Sequence, residues 1–121
     1  MEERPQEEIE WHFERFIELI QKCQDEHCEN RRWKYPLKRS VRVEKGRVYW
    51  AIWTDEEFTD DEPQTVSRIF GFVRRKDGAI FRAATYKKPE TRTKNPIRGY
   101  IWEDGAEDTF QWHGVNYAMG S

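Results

Sequence analysis

The chain has 121 residues, 36% of them charged and 15% aromatic, and its net charge at pH 7 is −2. That length supports one domain with a modest core, which six Trp and seven Phe are large enough to fill. It contains no apolar run of 18 residues, and its first ten residues, MEERPQEEIE, are acidic, so neither a membrane-spanning helix nor a secretory leader is expected.

The small net charge hides a block pattern. Residues 1–30 sum to −7, 31–53 to +7, 54–62 to −6, 63–101 to +8 and 102–121 to −4. Such blocks can make one rim of a small protein positive and another negative.

In chain order, Pro5 and the acids Glu7, Glu8 and Glu10 mark a helix start. Ile9, Phe13, Phe16, Ile17 and Ile20 then recur at helical spacing, predicting an amphipathic helix over 5–29 with an acidic opposite face, its stripe widened by Trp11 and Leu19. A basic connector, RRWKYPLKR, follows, carrying Arg31, Arg32, Lys34, Lys38 and Arg39. Residues 40–86 read as two hairpins. In the first, Val41 and Val43 alternate before a Lys45-Gly46 turn, and Val48, Trp50 and Ile52 alternate after it. TDEEFTDDEPQ reads as an acidic loop. The second hairpin turns at Asp77-Gly78, which suits a type I′ geometry. Its strand at 69–73 is apolar on both faces, so it is expected to be central, with Gly71 leaving room for a neighbouring side chain or a ligand. Residues 87–100 form a basic loop interrupted by Pro89 and Pro96, and 101–118 a C-terminal region of one or two short strands. The predicted fold is α+β: one long N-terminal amphipathic helix packed on an antiparallel sheet of four to five strands, in a single domain over 1–121.

Enzyme motifs are lacking. There is no nucleophile–His–acid pattern in a recognisable context and no phosphate-binding glycine loop. Cys23, His27 and Cys28 fall within two helical turns, but zinc sites show a second ligand pair that this sequence lacks, and Cys23 and Cys28 lie on roughly opposite helix faces, so neither a metal nor a disulfide is expected. His113, beside Trp112, is read as a packing residue. The carboxylates at 55–62 do not have calcium-loop spacing.

The stronger signal is AATYKKPETRTKNPIRGY, residues 83–100. Lys87, Lys88, Arg92, Lys94 and Arg98 offer point charges and bidentate forks to phosphates, and Arg82 adds charge from the preceding strand. Tyr86, Tyr100 and Trp102 offer π-faces for stacking. The alternative is a solvated basic loop balanced by the acidic helix face.

Phe70-Gly71-Phe72-Val73, the Asp77-Gly78 turn, Ile80-Phe81-Arg82-Ala83-Ala84, Tyr86-Lys87, Pro89 and Arg98-Gly99 with Ile101 form a pattern that resembles a group of small bacteriophage proteins of unassigned function. It covers about a third of the chain. Tyr86 stands where that group has Trp, and Tyr100 where it has Asn. The resemblance implies a phage origin and no particular activity.

The sequence thus predicts a non-enzymatic, cofactor-free protein, which the resemblance implies is phage-encoded and acts in the host cytoplasm. It would bind an anionic nucleotide or single-stranded nucleic acid, as a helper of DNA metabolism or as an anti-defence protein that sequesters a nucleotide. The alternative is a protein-interaction module, either a virion component or an inhibitor of a host enzyme, working through its acidic surfaces. A homo-oligomer or a host protein partner fits either, and a membrane neither.

Overall fold

The computed structural model describes residues 5–30, 38–58, 64–85, 87–92, 96–111 and 114–115. Helix α1 spans Gln6–Asn30. Pro5 stands just ahead of it and its carbonyl accepts from the N–H groups of Glu8 and Ile9 at 3.0 and 3.2 Å. Glu7 and Glu8 sit in the first turn, where the unpaired N–H groups favour negative charge.

The sheet runs β1 (Lys38–Lys45), β2 (Tyr49–Phe58), β3 (Gln64–Arg74), β4 (Ala79–Phe81) and β5 (Ile97–Tyr100), in that spatial order and antiparallel throughout. The α+β fold expected from the sequence is present, with five strands in the sheet and β3 at its centre. No helix among the described residues is long and apolar enough to cross a membrane.

One face of the sheet lies under α1. Ile9, Phe13, Phe16 and Ile20 are buried against Trp50, Ile52, Phe70, Val73 and Ile80. Phe13 and Trp50 meet at 4.2 Å between ring centroids. Each such side chain contributes about 1.5–3 kcal/mol of transfer free energy. Trp11 and Leu19 lie outside this contact and are exposed. The edge strand β1 is also covered by the helix: Gln21 donates to the Arg39 carbonyl at 3.0 Å and accepts from the Val41 N–H at 2.9 Å, satisfying groups that an open edge would present.

A 3₁₀ turn at Ala106–Thr109 and a two-stranded piece, β6 (Phe110–Gln111) and β7 (Gly114–Val115), close the core. Phe110 packs edge-on against both Phe16 and Phe70. Gly71 makes room for β7: a Cβ there would lie 2.6 Å from the Val115 methyl. Of the two occupants that Gly71 was expected to admit, the structure shows the side chain.

Three local expectations change. The acidic stretch is not all loop, because Thr54–Phe58 continue β2. Glu56 points inward there and pairs with Arg39, and both are buried. Arg39 therefore belongs to the core rather than to a basic surface connector, and Gln24 donates no charge but accepts from it at 3.3 Å. The first hairpin turns at Arg47-Val48, two residues later than expected, with Gly46 N–H donating to the Tyr49 carbonyl at 3.0 Å. The second hairpin is not type I′: only Gly78 has positive φ, and its N–H reaches back to the Arg74 carbonyl at 2.8 Å. Asp77 instead works through its side chain, accepting from Arg74 and from the Ala79 N–H.

Candidate functional site

The basic loop is more ordered than its prolines suggest. Its last part, Ile97–Tyr100, is β5, so Arg98 and Tyr100 stand on an edge strand. Its first part folds back on itself. Ala83 bridges Pro89, the Ala84 and Thr85 N–H groups donate to the Lys88 carbonyl, and the Thr85 hydroxyl accepts from the Lys87 and Lys88 N–H groups at 3.2 and 3.1 Å. A Thr side chain that mimics a backbone acceptor in this way fixes a tight turn. Lys87 and Lys88 project from it, exposed.

The sequence-predicted residues divide between two places. Arg82 and Arg98 are half-buried; Arg82 Nε donates to the Val115 carbonyl at 3.3 Å. Burial pushes the Arg98 guanidinium down, the neighbouring charge of Arg82 pushes it further, and Glu90 opposes both. Arg92 is exposed, with its N–H held by the Glu90 carboxylate at 2.7 Å. Tyr100 and Trp102 stack on each other at 4.9 Å, and the Trp102 indole donates to the Asp77 carbonyl at 2.8 Å. Each therefore already has one ring face occupied, and Trp102 pins the β3–β4 turn. Gly99 has φ 155, and a Cβ there would lie 3.0 Å from the Thr109 methyl, so its close approach is to the 3₁₀ turn. Tyr86 and Lys94 lie outside the described residues, as do Arg31, Arg32, Lys34, His113 and the side chains of His27, Cys28 and Lys38. Cys23 is a half-buried free thiol whose pKa is raised, by burial first and then by Glu26. No group of three metal-ligating side chains occurs among the described residues.

Lys87 leads to surface that the sequence reading missed. It lines an open groove of about 690 Å³ on the sheet face opposite α1, together with Tyr49, Ala51, Trp53, Phe72 and the β1–β2 turn residues Glu44, Lys45, Gly46, Arg47 and Val48. Beneath it Phe72, Ala79 and Phe81 form a second, smaller apolar cluster, flanked by Tyr49, Ala51, Ile69, Ile97 and Tyr100. Tyr49 meets Phe72 and Phe81 edge-on at 6.2 and 5.6 Å, which fixes its ring.

Charge around the groove is uneven. Arg42 lies 5.2 Å from the Trp53 ring centroid and is held there by Asp55 at 3.1 Å and Glu44 at 2.8 Å. Glu44 is thereby engaged. Lys45 and Arg47 are exposed and form no ion pair among the described residues. The rim is thus positive, with cations from two separate turns facing an aromatic wall. The signal in the sequence was that Tyr49, Ala51 and Trp53 alternate with Trp50 and Ile52, which makes β2, like β3, apolar on both faces.

No family model, curated protein or solved structure matches this chain. Its own geometry is what bears on function.

Proposed function

We propose that this protein binds an anionic nucleotide or single-stranded nucleic acid and performs no chemistry on it. One observation carries the reading: Lys87, from the basic segment, lines the same groove as Tyr49, Trp53 and Phe72, with Lys45 and Arg47 on its rim. Cations that reach phosphates beside aromatic faces that stack on bases form the ordinary binding surface for such ligands. Lys88 and Arg92 extend the positive surface along the same segment. The resemblance to small phage proteins supports a phage source, where the role would be in DNA metabolism or in withholding a nucleotide from a host defence.

Fluorescence anisotropy tests the reading. A labelled single-stranded oligonucleotide should bind at low salt and weaken as salt rises, with a log–log slope of about −0.7 per phosphate contact. Linear and cyclic dinucleotides serve as competitors. An absence of binding to every one of these ligands defeats the proposal.

A second reading rests on α1. Trp11 is 54% exposed, with Arg15 over its ring at 5.1 Å, and Leu19 is 38% exposed further along the helix, beside the exposed acids Glu14 and Glu18. That surface suits a protein partner. Loss of a co-purifying partner on Trp11→Ala, with nucleotide binding absent, would favour it.

A further inference from the structure

Resting on the binding reading above, we infer that the occupant of the sheet-face groove is a single strand of nucleic acid that runs through it, rather than a free nucleotide held within it. The argument begins with shape. A protein that sequesters a small nucleotide encloses it, typically burying 70–90% or more of its surface. The groove here is open along the sheet, with its floor at Phe72 and its wall at Tyr49 and Trp53, and among the described residues no element covers it. An open surface of this kind gives a lone nucleotide one wall, whereas a longer strand adds contact with every residue it lays down.

Charge placement points the same way. The rim cations come from two places: Lys45 and Arg47 from the β1–β2 turn, and Lys87 from the turn built on Thr85. A pocket for one phosphate group gathers its donors on a point, often with backbone N–H groups pointing inward. Here the backbone N–H of Gly46 is used by the Tyr49 carbonyl and that of Lys87 by the Thr85 hydroxyl. What the groove offers a ligand is long, exposed side chains from two separate turns, an arrangement that suits successive phosphates along a chain. Glu44, the one acid among the described lining residues, is engaged by Arg42, which lessens its repulsion of a passing phosphate.

The wall fits the same occupant. Tyr49 is rigidified by its edge contacts with Phe72 and Phe81, and Arg42 is held 5.2 Å from the Trp53 ring centroid. Stacking on such surfaces is sequence-tolerant, because every base has a π-face, so a non-specific or weakly specific strand binder is the implied class.

The experiment is a length series. Labelled oligothymidylates from two to about sixteen nucleotides, which reach the upper end of the site sizes that single small folds show, are titrated into the full chain by anisotropy. Affinity should rise at least tenfold from the dinucleotide to the longest strand, and tryptophan fluorescence should be quenched on binding. The Lys45→Ala, Arg47→Ala double variant removes two exposed charges and should fold normally by circular dichroism. It should weaken binding of the longest strand and make the salt slope shallower by about 1.4, the value for two phosphate contacts. A linear or cyclic dinucleotide binding as tightly as the longest strand overturns the inference while leaving the binding reading intact. So does a Lys45→Ala, Arg47→Ala variant that binds normally while Arg92→Ala does not, because the strand then lies on the basic segment and not in the groove. If no strand or nucleotide of any length binds, it is the underlying reading that fails.

Discussion

Gly71 of β3 and Val115 of β7 occupy one space: a Cβ on the first would stand 2.6 Å from a methyl carbon of the second, and 3.0 Å from the Phe81 carbonyl oxygen. The C-terminal piece can lie against the central strand only because that position carries no side chain.

Gly71→Ala should therefore destabilise the protein by about 1–3 kcal/mol through overpacking. Val115→Ala alone leaves a small void, but in the Gly71→Ala background it should recover part of the loss. Urea denaturation of the two single variants and the double variant checks this, and a purely additive double variant would show that the two positions do not compete for the same space.

Arg39 and Glu56 form an ion pair beneath α1, with Gln24 also bonded to the arginine. Removing one partner strands a buried charge, so Glu56→Ala should cost about 3–5 kcal/mol. Replacing both, as Arg39→Met with Glu56→Leu, should cost much less than either single change. Thermal melts of the three variants measure this, and a mild single variant would mean that water reaches the pair. Arg68, 3.7 Å from Glu56 but largely exposed, should matter little.

Asp77 organises the β3–β4 turn. Burial works to raise its pKa, but hydrogen bonds from Arg74 and the Ala79 N–H, with the charge of Arg74 and Lys76, outweigh it and hold it below the ordinary carboxylate value. A carboxylate whose pKa is depressed in the folded state gives stability that is complete above its unfolded pKa and is lost as pH falls through the folded one. The turn should thus weaken below about pH 4. Asp77→Asn should lose about 1 kcal/mol at pH 7 and show a smaller further loss on acidification than the parent protein does. Urea midpoints at neutral and acid pH test the difference. Asp55, lowered chiefly by the Ser67 hydroxyl and also by Arg42 against the opposing effect of burial, contributes in the same direction and in the same window.

Lys87 and Arg98 should separate binding from folding. Lys87 is exposed, so Lys87→Ala should change stability by less than about half a kcal/mol while weakening oligonucleotide binding several-fold. Arg98 is half-buried on β5, so Arg98→Ala should also lower the melting temperature. Melting curves and anisotropy on each single variant resolve the two roles. Unchanged binding by Lys87→Ala would remove Lys87 from the site.

Periodicity made α1 and most of the sheet legible. Ile9, Phe13, Phe16 and Ile20 repeat on one helical face, and the apolar alternation of β1 and β2 specified a strand pair. The strand character of Thr54–Phe58 was hidden, because its inward position is Glu56, whose partner Arg39 comes much earlier in the chain. The basic segment was legible as composition but not as geometry: only the fold shows that Tyr100 and Trp102 face each other while Lys87 faces the groove.

By itself, then, the sequence determined the α+β architecture, because hydrophobic period and turn chemistry are local and each is written within a few residues. The tertiary structure alone decided which charges are core and which are surface, and that Tyr49, Trp53, Phe72 and Lys87 share one groove. Those residues lie on two strands and a turn, and the physical reason is that pleat and antiparallel pairing put Tyr49, Trp53 and Phe72 on one face of the sheet, while the turn after β4 brings Lys87 to it.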